Sequence, residues 1–185
     1  MYNDDSFPIV TSCTFTANEG YWGGGMYNEY SCPILSDCVF RANFAHRGGG
    51  IRNKDYSCPV LVDCAFSGNW SVQGGGGMST IVYSSPTLRN CTFTGNFGDD
   101  GSAIYIAGSS PIFTNCLFTG NSCGGGGGAV CNLSSAFPVF LSCTFSGNTS
   151  GAGGAMYNDA SCLPTLTNCI LWGDTAPTGE EVLND

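Results

Sequence analysis

The sequence predicts an all-β protein, a single-domain parallel β-helix (β-solenoid) of about seven coils of 25–27 residues each. Three observations lead there: one phrase recurs seven times, its spacing is nearly constant, and its composition suits strands and turns. The phrase is SPTLRNCTFTGN at residues 85–96, with the variants FPIVTSCTFTAN, CPILSDCVFRAN, CPVLVDCAFSGN, SPIFTNCLFTGN, FPVFLSCTFSGN and LPTLTNCILWGD.

Proline opens each copy, at Pro8, Pro33, Pro59, Pro86, Pro111, Pro138 and Pro164, in steps of 25, 26, 27, 25, 27 and 26 residues. The next strand alternates: Leu88 points inward and Arg89 outward. Asn90 then breaks the alternation, and Cys91 and Phe93 point inward again. Asparagine tolerates a left-handed backbone, so it can turn a corner in one residue. The matching corners are Ser12, Asp37, Asp63, Asn115, Ser142 and Asn168. Behind them run a cysteine ladder (Cys13, Cys38, Cys64, Cys91, Cys116, Cys143, Cys169) and an aromatic one (Phe15, Phe40, Phe66, Phe93, Phe118, Phe145, then Leu171). An asparagine ladder follows: Asn18, Asn43, Asn69, Asn96, Asn121, Asn148, then Asp174.

Between these phrases a glycine-rich element places Met26, Ile51, Met78, Ile104, Val130 and Met156 in register. All length variation falls in the two connections, as expected of fixed strands joined by adjustable turns. The period is too short for a propeller blade, and a leucine-rich-repeat pattern is missing. Helical repeats are excluded by the 28 glycines and the recurrent prolines, threonines and aromatics. Three short strands per coil are expected, stacked about 4.8 Å apart. The glycine runs, such as Gly124 to Gly128, are not phosphate loops, since neither Lys-Ser/Thr nor a helix follows.

The alternation of GG[GA]-φ with F-x-x-N resembles the repeat of chlamydial polymorphic membrane proteins, which are adhesins. The fuller pattern, GGGMYN, then S-x-P-x-L-x-N-C-x-F-x-G-N, closing on NCILWGDTAP, resembles bacterial right-handed parallel β-helix repeat proteins. The resemblance spans essentially the whole chain. It implies a single-stranded right-handed parallel β-helix with a cell-surface or secreted, adhesin-like role, and it transfers no catalytic residue.

Charged residues make up only 10% of the chain and the net charge is −9, which argues against a nucleic-acid partner. Four of the five bases, Arg41, Arg47, Arg52 and Lys54, lie in one stretch. There is no apolar run long enough for a membrane span, and MYNDDSF is not a signal peptide. Met1-Tyr2-Asn3-Asp4 matches Met156-Tyr157-Asn158-Asp159, and Val182-Leu183-Asn184-Asp185 matches both, so the chain is expected to start and stop at one phase of the coil without a capping element. The expectation is a segment of a longer solenoid, or a unit that stacks on itself into filaments. Cys32 and Cys58 share a slot in adjacent coils and are close enough for a disulfide, whereas Cys131 is expected on the surface. His46, expected in a turn, is the single histidine, and no CxxC pair exists, so neither a metal nor a cofactor is expected.

Candidate ligand-binding residues fall into two sets. Tyr2, Tyr27, Tyr105 and Tyr157 follow the inward Met/Ile and should form an outward row able to stack on sugar rings. A second run is Tyr30, Tyr56 and Tyr83. Arg52, Lys54 and Asp55, near Asp4, Asp5 and Glu29, form a charged cross-coil cluster of the kind that holds uronates or calcium; a solvated ion-pair patch is the simpler account. An apolar outer row, Ile9, Ile34, Val60, Ile112 and Val139, is a candidate interface. Outward T-x-T pairs (Thr14/Thr16, Thr92/Thr94) are similar to those of ice-binding solenoids, but Arg41, Leu117 and Trp172 break the array. The function expected is a non-enzymatic, extracellular or cell-surface scaffold that adheres or self-associates end to end or through its apolar face. Carbohydrate binding or cleavage is the alternative, and ice binding stands third.

Overall fold

The computed structural model describes all residues, Met1–Asp185. The chain winds into a β-solenoid whose strands pair only in parallel with their equivalents one coil away. Sheet 1 has eight strands, from Tyr2–Asp4 to Val182–Asn184, and sheets 2 and 3 have seven each, beginning at Ile9–Thr11 and Thr14–Thr16. The expected sharp corner separates sheets 2 and 3. Asn90 has φ 53°, and Ser12, Asp37, Asp63, Asn115, Ser142 and Asn168 lie between 51° and 54°.

A fourth sheet is the main departure from the expected three strands per coil. Its five strands follow the asparagine ladder: Glu19–Trp22, Phe44–Arg47, Trp70–Ser71, Phe97–Gly98 and Ser122–Cys123. These strands are two to four residues long; each starts directly after the ladder asparagine and runs into the stretch where repeat length varies. The glycines that follow are fixed by crowding. Gly48 has φ +67°, and a Cβ on Gly49 would come within 2.5 Å of the Gly76 and Trp70 carbonyl oxygens.

The core is built from register. Phe40, Phe66, Phe93, Phe118 and Phe145 are fully buried and stack coil on coil, with centroids 4.5–5.2 Å apart. Phe113 and Phe140 stack beside them at 4.7 Å and meet Phe118 edge-on. Met26, Ile51, Met78, Ile104, Val130 and Met156 close the interior from sheet 1. The cysteine ladder is buried from Cys38 to Cys143, whereas Cys13 is exposed and Cys169 half-buried in the outermost coils. Cys32 and Cys58 form a disulfide, with their Cα atoms 4.6 Å apart.

Buried amides are satisfied by stacking. Asn69 donates through Nδ2 to Asn96 Oδ1 (3.0 Å) and to Phe40 O (2.9 Å), and its N–H also reaches Asn96 Oδ1 (3.0 Å). The same pattern repeats through Asn96, Asn121 and Asn148. A second amide ladder lines sheet 1 at Asn3, Asn28 and Asn53, and again at Asn132, Asn158 and Asn184.

Candidate functional site

Alternation along sheet 1 turns the second residue of its core four-residue strands outward, and the fourth with it. In register, the second position is held by Tyr2, Tyr27, Arg52, Ser79, Tyr105, Cys131, Tyr157 and Leu183. The four candidate tyrosines share this row but form no continuous platform. Tyr2 and Tyr27 stack at 5.3 Å, Arg52 and Ser79 separate Tyr27 from Tyr105, and Cys131 separates Tyr105 from Tyr157.

The row is also roofed on one side. The chain leaving sheet 4 lies against it, so closely that a Cβ on Gly74 would come 2.8 Å from the Tyr105 ring and one on Gly101 2.9 Å from Cys131 Cβ. Cys131 is therefore buried, contrary to the sequence expectation, because its neighbour is backbone rather than solvent. Burial pushes the Tyr27 phenol up to about 12 and also raises Tyr105; Tyr157 is raised chiefly by its hydrogen bond to Asp185 Oδ2 (3.1 Å).

The expected charged cluster splits in two. Lys54 Nζ contacts Asp55 Oδ2 at 2.6 Å and Glu29 Oε1 at 2.9 Å, and Tyr2 donates to Glu29 Oε2 at 3.1 Å. The Lys54 hydrogen bond holds the Glu29 carboxyl below its ordinary value, while Asp55 and Glu29 raise Lys54. Asp4 aligns with Glu29, and Asp5 is exposed at φ 44°. Arg52 does not join them. It is 3% exposed beneath Trp22, whose ring lies 4.3 Å from the guanidinium carbon. Burial first, then the charge of Arg47, lowers its pKa to about 10. No set of three or more His, Cys, Asp or Glu side chains converges to hold a metal ion.

The largest cavity, about 660 Å³, opens over this row around Tyr105. Arg47, Tyr83, Tyr105 and Phe137 line it, with Ser134 and Ser135 from the bend after Leu133. Tyr83 is 67% exposed and stacks on Tyr56 at 5.4 Å. The groove thus joins one residue of the expected row, Tyr105, with Tyr83 of the second run and with Arg47, which was not singled out for binding.

Sheet 4 carries an aromatic surface missed in the sequence. Phe44, Trp70 and Phe97 are aligned outward, with centroids 5.0 and 6.3 Å apart, and Trp70 is half exposed. Its signal was present, since each of these residues directly follows the ladder asparagine in three consecutive coils. His46 belongs to this sheet rather than a turn, and its ring stacks on Tyr21 at 4.9 Å. On sheet 2, Ile9, Ile34, Val60 and Ile112 form an exposed aligned row, with Val139 half-buried and Thr87 and Thr165 interrupting.

A solenoid with stacked asparagine and phenylalanine ladders defines the class. Residues 1–171 match the family described as a right handed beta helix region, and the chain belongs to that family. No curated protein and no solved structure matches the chain significantly.

Proposed function

We propose that this domain is a rigid extracellular scaffold that adheres and self-associates through its outer faces. The observation that supports it is where the repeated residues go. Phe, Cys and Asn, the residues that recur, are absorbed into ladders between coils and leave no repeated chemistry for turnover. On sheet 2 the exposed aligned row of Ile9, Ile34, Val60 and Ile112 offers an apolar face that a second copy would cover. Display of the domain on a non-adherent bacterium, scored for retention on glycan- and protein-coated surfaces, tests adhesion. Retention no greater than that of the bare host would sink it. Electron microscopy with light scattering tests association: oligomers are expected, and an isolated monomer at high concentration would remove it.

The groove around Tyr105 favours a second reading, carbohydrate binding. A concave site walled by tyrosines and edged by hydroxyls suits a sugar ring, which has apolar C–H faces and a polar rim. A glycan array with wild type and Tyr105→Ser tests it; equal signals from the two would argue against the groove.

A further inference from the structure

We propose that Asp174, Glu181 and the Phe145 carbonyl form a binding site for a divalent cation of the calcium class.

The first argument is a change of chemistry in an otherwise uniform ladder. From Asn43 to Asn148, each ladder amide nitrogen has two acceptors, the phenylalanine carbonyl one coil back and the ladder side chain one coil ahead. The carbonyls are those of Phe15, Phe40, Phe66, Phe93 and Phe118, at 2.9–3.1 Å. Asp174 takes the asparagine's place in the seventh coil, and its Oδ1 accepts both the N–H (2.7 Å) and the Nδ2 (2.6 Å) of Asn148. Its Oδ2 therefore stands where the amide nitrogen stood, and the same step of one coil turns it towards the Phe145 carbonyl. An ionised carboxylate has no proton to donate. A donor position has become a meeting of acceptors.

The second argument is that these oxygens are buried without partners. Asp174 is 2% exposed, and its Oδ2 lacks any hydrogen bond. Glu181 folds back so that its carboxyl lies against that of Asp174, and Glu181 Oε2 is also buried and unpartnered. Two such oxygens out of water disfavour each other unless a positive group lies between them. The protein supplies none. All five basic side chains lie between Arg41 and Arg89, and Arg89, the last of them, is three coils before Asp174.

The third argument is the kind of ion. Two carboxylates balance a charge of two, and two carboxylates with a backbone carbonyl make an all-oxygen set. Calcium accepts irregular oxygen sets that include backbone carbonyls and water, whereas magnesium demands a near-ideal octahedron. Glu181 is only half-buried, so water can complete the shell from its side. A bound ion would tie residue 174 to residue 181 and hold the intervening turn against the coil.

Calcium titration of the full chain, after removal of metals with EDTA, tests the site by calorimetry and by melting. Wild type should bind at one site and melt about 3–5 °C higher in about 5 mM calcium. Asp174→Asn restores the missing donor, so it should melt above wild type in EDTA and lose the calcium shift. Glu181→Gln should lose the shift as well. Asp99→Asn, which removes an exposed acid elsewhere, should keep it. A shift that survives both Asp174→Asn and Glu181→Gln would place the ion elsewhere and overturn the site. The absence of any calcium shift in wild type would overturn it too. Stabilisation of that protein by acid, missing in Asp174→Asn, would then assign the gap to a shared proton.

Discussion

Asn53 and Asn132 are the broken ends of one hydrogen-bond ladder. The Nδ2 of Asn53 and the Oδ1 of Asn132 are buried without partners. Between them, in register, stand Thr80 and Ile106. Elsewhere in the row each amide donates to the next coil: Asn3 to Asn28 at 2.7 Å, Asn28 to Asn53 at 2.8 Å, Asn132 to Asn158 at 2.6 Å. Asn53 therefore lacks an acceptor and Asn132 lacks a donor.

Filling the gap should be strongly non-additive. Ile106→Asn alone offers Asn132 a donor but leaves its own buried carbonyl unpaired, and Thr80→Asn alone does the reverse for Asn53. The double variant completes the ladder and should be more stable than the sum of the singles by about 1–2 kcal/mol. Guanidinium titration of the four proteins gives the coupling, and a value near zero would show that the ladder is not cooperative.

Thiol burial orders three cysteines. Cys91 and Cys131 are both buried, the first inside the coil and the second under the glycine roof, whereas Cys13 is exposed. Replacement by serine should cost about 1–3 kcal/mol at Cys91 and at Cys131, and little at Cys13. Equal unfolding midpoints for all three variants would contradict the burial.

The corner at Asn90 is a backbone requirement. Its φ of 53° is readily reached by glycine and poorly by a β-branched residue, so Asn90→Val should cost more than Asn90→Gly. Its amide also donates to Asp63 Oδ1 at 2.9 Å, a bond that both variants lose equally. The reverse order of melting temperatures would place the bend elsewhere.

Glu181 supplies a pH dependence. Burial, then the neighbouring Asp174 carboxyl, raises its carboxyl above the ordinary 4.5. The folded state then holds the proton more tightly than the unfolded chain. This contribution is fully present below the ordinary value and is lost as pH rises through the raised one. Glu181→Gln keeps the shape without the charge, so its advantage over wild type should grow from about pH 4 towards neutrality. Melting temperatures that differ by a constant amount across that range would contradict the assignment.

The coil itself was legible because its residues repeat: proline, corner, cysteine, phenylalanine and asparagine each recur at fixed spacing, and the corner's left-handed φ follows from residue type. Sheet 4 was not, because Gly20, Ala45, Ser71, Gly98 and Cys123 share a position without sharing a chemistry. Missing that sheet also hid the roof over the Tyr105 row, and with it the burial of Cys131 and Arg52. The groove joins residues distant in sequence and non-equivalent in the repeat, Arg47, Tyr83, Tyr105 and Phe137, so periodicity alone had no means of grouping them.

Hydrogen bonds that run between coils also set how the molecule bears load. Outside the strand ladders, the backbone bonds link residues about one coil apart, with Cys162 N–H to Asp159 O a local exception. Tension along the axis therefore opens them one after another, as a zipper, rather than shearing many at once. A detached coil would release on the order of 90 Å of extended chain. The rod should pay out in even steps at low force, and the Cys32–Cys58 bridge should lock one of them, because it closes a loop one coil long, 26 residues apart in sequence.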